Sequence, residues 1–141
     1  MSRISDYAKS IAAFILEQQF PFADRLVIAA EYIPAKITTP GSIHIDIAPA
    51  SYHGETVEQR RFHIRQEDNA ISILVRSRLP EKFTSDDIGV LMDAVESISE
   101  LMLNATWGDD TKCSSVDVAF NEITKGLFSA TITVHIKSQW S

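Results

Sequence analysis

The sequence predicts a two-layer α+β domain, in which one mostly antiparallel mixed β-sheet of about six strands carries two helices on one face. Three observations lead there. Two segments, 4–19 and 84–104, repeat their apolar residues at helical spacing. Most of the other segments alternate apolar and polar residues one by one, the period of a strand. Most of those strands are apolar on a single side, so the sheet has one face to bury under helices and one polar face. A chain of 141 residues fits a single domain, 1–141, around one core.

The elements follow in order. In the segment 4–19, Ile4, Ala8, Ile11 and Ile15 share one side, Tyr7 and Phe14 flank it, and Pro21 ends the helix. "RLVIAAEY" (25–32), closed by Pro34, reads as a strand. "SIHIDI" (42–47) alternates Ile43, Ile45 and Ile47 against Ser42, His44 and Asp46, opened by Pro40-Gly41 and closed by Pro49.

Residues 57–78 read as a hairpin. Phe62 and Ile64 alternate with Arg61, His63 and Arg65, and Ile71, Ile73 and Val75 alternate with Arg76 and Arg78, around a turn at "QEDN" (66–69). The expected register sets Ile64 opposite Ile73, Phe62 opposite Val75 and Arg61 opposite Arg76. Like charges across a strand pair cost up to about 1 kcal/mol, so an acidic partner is expected. Asp46 or Asp117 could supply it within the domain; Asp93, Glu96 or Glu100 could supply it from a neighbouring subunit.

The segment 84–104 starts at a Thr84 or Ser85 cap, with Asp86 and Asp87 where the helix dipole favours carboxylates. Ile88, Leu91, Met92, Val95, Ile98 and Met102 form its expected buried stripe, and Asp93, Glu96 and Glu100 lie opposite. A loop over 104–113 leads to strands 114–121 and 127–137, joined by a turn at Gly126. The last strand sets Phe128, Ala130, Ile132, Val134 and Ile136 on one side. The polar face then carries His44, Asp46, Arg61, His63, Arg65, Arg76, Arg78, Asp117, Thr131, Thr133, His135 and Lys137.

Charge is unevenly distributed. The net charge is −6, yet residues 57–78 hold five arginines against Glu58, Glu67 and Asp68, while between Lys82 and Lys112 there are seven acidic residues and no basic one. Autonomous nucleic-acid binding needs a basic footprint, which argues against it for a monomer. The longest apolar runs, "LVIAA" and "ISILV", are too short to span a bilayer, and the charged, amphipathic N-terminal stretch is unlike a signal peptide. Cys113 is the single cysteine, so no intrachain disulfide forms, and a reducing compartment suits it.

The chemistry-bearing residues do not assemble into a motif. Four histidines, His44, His53, His63 and His135, lack the His-x-His or His-x₃-His spacing of a metal site. Ser129, His135 and Asp46 can be combined on paper into a nucleophilic triad, but there is no Gly-x-Ser-x-Gly elbow. Cys113 has no histidine beside it, and "KGLF" (125–128) leads into a strand rather than a phosphate-binding helix. No catalytic residue, metal or cofactor is expected; a ligand-binding or enzymatic use of the polar face is the less favoured alternative.

"FADRLVIAAEYIP" (22–34), a strand ending in Pro49, the arginine-rich hairpin, "IGVLMDAVESISELM" (88–102) and "LFSATITVHI" (127–136) occur in this order over nearly the whole chain. Together they resemble the tail terminator, or tail completion, proteins of long-tailed bacteriophages. The matching positions are Arg25, Tyr32, Pro34, Pro49, Arg76, Leu91, Met92, Val95, Glu96, Ile98 and Phe128; "WGDD" (107–110) has no counterpart. The resemblance implies a structural virion protein, assembled in the bacterial cytoplasm. Such a protein forms a ring, usually of six, on the head-proximal end of the tail tube, stops its growth and offers a surface to the head-completion or connector protein, with DNA passing through unread. Another neck or adaptor component is the nearest alternative. A domain of this length has a radius of gyration of about 14 Å and a diameter of about 37 Å; six in a ring leave a hole of about that diameter, enough for duplex DNA. A ring needs two different patches per subunit. Arg61, Arg65, Arg76 and Arg78 against Asp93, Glu96 and Glu100 are the candidate pair.

Overall fold

The alternating segments pair into one sheet under two helices. A computed structural model describes residues 3–18, 20, 26–29, 40–59, 62–104, 106–108 and 111–140. The order is α1 (Arg3–Glu17), β1 (Leu26–Ala29), β2 (Ile43–Gln59), β3 (Phe62–Arg78), α2 (Ser85–Leu103), β4 (Thr106–Gly108), β5 (Thr111–Phe120) and β6 (Leu127–Trp140). Across the sheet the strands run β1-β2-β3-β6-β5-β4. β1 pairs with β2 in parallel and every other pair is antiparallel. The expected two-layer α+β class, with a mixed, mostly antiparallel sheet, is the observed one.

α1 packs on β2 and β3, and α2 on β5 and β6. Their apolar stripes, Ala8, Ile11 and Ile15 on α1 and Leu91, Val95, Ile98 and Met102 on α2, close over the isoleucine-rich side of the sheet. Cross-strand rows such as Ile47, Ile73, Ile132 and Val118 line that side. Each fully buried aliphatic side chain contributes about 1.5–3 kcal/mol. All five residues expected on one side of the last strand, Phe128 to Ile136, are buried. Met92 departs from the expected stripe: it is exposed, and Ala94 is buried in its place. Helical geometry explains this, because Met92 stands about 100° round from Leu91, on the flank of the stripe.

Thr84 is the N-cap of α2, and the Asp87 carboxylate accepts from both its backbone N–H (2.8 Å) and its hydroxyl (3.3 Å). The turn into β6 places Lys125 and Gly126 at positive φ, which glycine adopts at no steric cost.

The hairpin differs from its expected form. β2 does not stop at Pro49, and "QEDN" is not a turn. The four strands expected before α2 are therefore three, and β2 and β3 are each 17 residues long. Proline is tolerated in β2 because β1 covers only Ile43–Asp46, leaving the outer edge without a strand neighbour from there on among the described residues. A bulge at Ala50 absorbs the irregularity. Gln66–Asn69 is paired on both sides. Asp68 sits between His53 and Lys137, and Glu67 accepts a hydrogen bond from the Tyr52 hydroxyl at 3.0 Å. Cross-strand partners of this kind hold polar residues in a strand.

The last described pair before the bend is Gln59 with Phe62; the residues between, Arg60 and Arg61, lie outside the described set. The expected pairing of Ile64 with Ile73 is replaced by Ile64 with Val57, and that of Phe62 with Val75 by Phe62 with Gln59. Ile73 faces Ile47 and Ile132. The expected loop over 104–113 holds β4 and the start of β5, so Cys113 stands in a strand.

Candidate functional site

Two charged regions dominate the molecule, and they are built differently. On the sheet side away from the helices, Arg76 pairs in register with His44 and Ser129, not with Arg61. Its Nη2 donates to Asp46 Oδ2 at 2.7 Å, and only 12% and 8% of the two side chains are exposed. Asp46 is thus the acidic partner that the arginine pattern called for, and it lies within the domain. Arg78 Nη1 donates to the Lys125 carbonyl at 2.7 Å, and Leu79 N–H to the Gly126 carbonyl at 2.8 Å. Together they tie the end of β3 to the β5–β6 turn.

Arg65 pairs with Thr56 and Trp140 along the backbone; its side chain, like Arg61 as a whole, lies outside what is described. Arg65 and Arg76 are an odd eleven positions apart on one unbroken strand. With no turn at 66–69 to reset the alternation, the basis for setting these two arginines on one face is gone.

The second region is α2. Asp93, Glu96 and Glu100 are exposed on the side opposite the buried stripe, as expected. Asp86 and Asp87 occupy the first turn, and no basic residue offsets them along the helix. The exposed acidic side of α2 and the buried Arg76–Asp46 pair are therefore separate parts of one domain.

The polar face does not gather a reactive cluster. His44 aligns with Ser129 on β6, and His135 lies six residues further on, about 20 Å at strand rise. That distance separates Ser129 from His135 as well, so the triad drawn on paper does not assemble. His63 pairs with Glu58 near the hairpin bend. Among the described residues no group of three His, Cys, Asp or Glu side chains is placed to hold a metal ion. Burial raises the pKa of the Cys113 thiol, which keeps it protonated and a poor nucleophile at neutral pH.

Three features escaped the linear reading. His135 sits between two carboxylates, with Nε2 3.3 Å from Asp117 and Nδ1 3.8 Å from Asp68; only strand register brings these residues together. Val118 and Phe120 fall on the helix side of β5 but remain exposed beside Met92's helix, because alternation predicts a side and not how far a helix reaches over it. Asn69 is fully buried, and neither atom of its amide has a partner among the described residues.

An unpaired buried polar group costs about 1–3 kcal/mol. Asn69→Leu is therefore expected to stabilise the fold by about that amount, seen as a raised urea midpoint at unchanged slope. A lowered midpoint would mean that the amide is held by a partner.

A scan against protein-family models finds no match for this chain, and neither does a search of the curated proteins.

Proposed function

We propose that this chain is a structural tail protein of a long-tailed phage: a terminator that caps the head-proximal end of the tail tube. It ends tube growth there and presents a docking surface to the head connector. The observation that supports this reading is the gathering of five arginines in residues 57–78 of the sequence, against an exposed acidic side on α2. Two unlike patches on one small domain favour head-to-tail contacts between copies, and head-to-tail contacts that close make a ring. The ring, six subunits as the resemblance implies, lets DNA through without reading its sequence. The protein acts without a cofactor, through its surfaces alone, and its final place is the virion. Among the described residues no helix is long and apolar enough to cross a membrane.

The test mixes the purified full-length chain with growing tail tubes of its phage. Tube lengths should stop increasing, and labelled protein should appear at one tube end by electron microscopy. Tubes that elongate at an unchanged rate, with no label at their ends, would overturn the terminator reading. Binding to the connector alone would assign the chain to another part of the neck. Tightly bound stoichiometric zinc in the purified protein would favour the enzymatic alternative.

A further inference from the structure

The sheet ends on one side in a strand left open along most of its length. β4 pairs only with Thr111 and Lys112. From 113 to 120 the outer edge of β5 has no strand neighbour among the described residues, and residues 114, 115 and 117–120 are exposed. Along such an edge alternate residues direct an N–H and a C=O outward, a template for one more strand unless lysine, proline or a bulge blunts it. The stretch 113–120, CSSVDVAF, contains neither lysine nor proline, and its one register shift, between Cys113 and Ser115, lies at the start. The six pairs that Ser115 to Phe120 make with β6 are regular, about the length of a common strand.

The edge has two unlike sides. On the helix side it carries apolar surface: Val118 is 38% exposed and Phe120 52%. The Phe120 ring meets buried Phe128 edge-on at a centroid distance of 6.5 Å, so it is held in place while exposed. α2 packs on β5 and β6. Its Val90 flank lines the cleft against Ser77, Arg78 and Leu79 at the end of β3, so the opposite flank turns toward the outer edge of β5. Met92 stands about 200° round from Val90, and Leu103, eleven residues further on, returns almost in line with Met92. Both are exposed. On the side away from the helices the edge carries Asp117, opposite Thr133. Its side chain is 77% exposed, with His135 Nε2 3.3 Å from the carboxylate.

We propose that the outer edge of β5, with the Met92 flank of α2, docks an extended segment of another protein, one that alternates apolar residues with lysine or arginine and joins the sheet as a strand. Each part of that description comes from a different feature. The open ladder calls for an extended backbone, whose N–H and C=O groups supply affinity. Val118, Phe120, Met92 and Leu103 call for apolar side chains at every second position, where a strand faces the helix side. Charge sets the rest. α2 has five carboxylates and no basic residue, and between Lys112 and Lys125 the chain adds Asp117 and Glu122 and again no basic residue. Glu96 stands one turn from Met92 on the same flank. A second copy of this chain is the wrong occupant: two β5 edges paired antiparallel about their middle would bring Asp117 to Asp117, and like charges across a strand pair are destabilising. A basic strand instead meets Asp117 on one side and the acidic helix on the other. The inference goes beyond the tube-capping reading and does not depend on it.

The probe is a synthetic peptide of about eight residues in which lysine alternates with valine, added to the full chain. Two control peptides accompany it: one of the same charge with every backbone nitrogen methylated, so that it cannot pair as a strand, and one with glutamate in place of lysine. Calorimetry gives the affinity, hydrogen exchange reports the β5 amides, and light scattering gives the mass of the free protein. The lysine peptide should bind and protect amides within 114–120, and both controls should bind at least about tenfold more weakly. Asp117→Lys with Val118→Lys, both at exposed positions, should weaken binding by about the same factor. The thermal midpoint should hardly move, since exposed ion pairs contribute little. Leu16→Lys with Glu17→Lys, which adds the same charge at exposed positions on α1, should bind as wild type does.

Equal affinity for the methylated peptide overturns the added strand, since charge alone would then hold the probe; this comparison uses wild type and stands even if the β5 variant fails to fold. No binding of the lysine peptide, or binding with protection only outside β5, overturns the site. Free protein that self-associates with its β5 amides protected overturns the occupant in favour of a second copy. Tube capping, read from tube lengths, is tested separately from all of these outcomes.

Discussion

Asp46→Ala is expected to destabilise the protein by about 3–5 kcal/mol, the cost of removing one member of a buried ion pair. Domains of this kind have about 5–15 kcal/mol in total, so the variant should be close to unfolding at body temperature. The reason is local. Asp46 lies 2.7 Å from Arg76 on a sheet face that water barely reaches at that point. Without the carboxylate, the guanidinium loses its closest counter-charge in a site too dry to replace it.

Replacing Arg76 with Glu should be at least as damaging, because it sets two carboxylates together in the same place. Charge reversal at Arg76 therefore tests the fold, not the assembly, and assembly tests belong on other residues. Replacing both partners, Asp46→Leu with Arg76→Met, should recover most of the lost stability, since apolar residues of similar volume often substitute for buried pairs without loss. Urea unfolding of the two single variants and the double variant measures this. Single variants with wild-type midpoints would mean that solvent screens the pair.

The second large effect is expected at the helix–sheet interface. Leu91→Ala should cost about 2–4 kcal/mol, the sum of lost burial and a cavity that neighbouring side chains fill only in part. Val95→Ala should cost less, having fewer atoms to lose. Leu91 and Val95 are almost wholly buried, among the isoleucines of the sheet. Met92→Ala, one residue along from Leu91 and exposed, should change stability by no more than about 0.5 kcal/mol. Thermal and urea midpoints of the three variants check the assignment. Equal losses at Leu91 and Met92 would mean that α2 is rotated about its axis from the position described.

The contrast between Leu91 and Met92 shows how much of this molecule is legible along the chain. Where burial follows a fixed period, the reading works: Ile43, Ile45 and Ile47, and Phe128 through Ile136, announce a strand and its buried side. The α2 stripe is legible to within one flank. Asp93, Glu96 and Glu100 are legible as an exposed acidic side because nothing else can bury three carboxylates so close together.

What the chain conceals is lateral. "QEDN" has the residues of a turn, but strands pair sideways, and Tyr52, His53 and Lys137 make a strand of it. Asp46 looks like a solvated residue on a polar face until Arg76, thirty residues on, is seen beside it. The exposed edge of β5 depends on where β4 ends and α2 stops, and neither has a signature in the local sequence.

The bulge at Ala50 has a consequence for how this protein can change. Side chains alternate along a strand as letters do in a two-letter reading frame, and the extra residue shifts that frame once, between Pro49 and Ser51. Everything on β2 before it, including Ile43, Ile45 and Ile47, is read in the frame of the core. Everything after it, from Ser51 to Thr56, is read in the other. A single-residue deletion at this point would set Pro49 and Ser51 opposite Ile71 and Ala70 as consecutive pairs of a regular ladder, with every later residue keeping its β3 partner and therefore its side. The outer strand can thus shorten by one residue here in one genetic step, with no substitution in the core and no side chain carried to the other face.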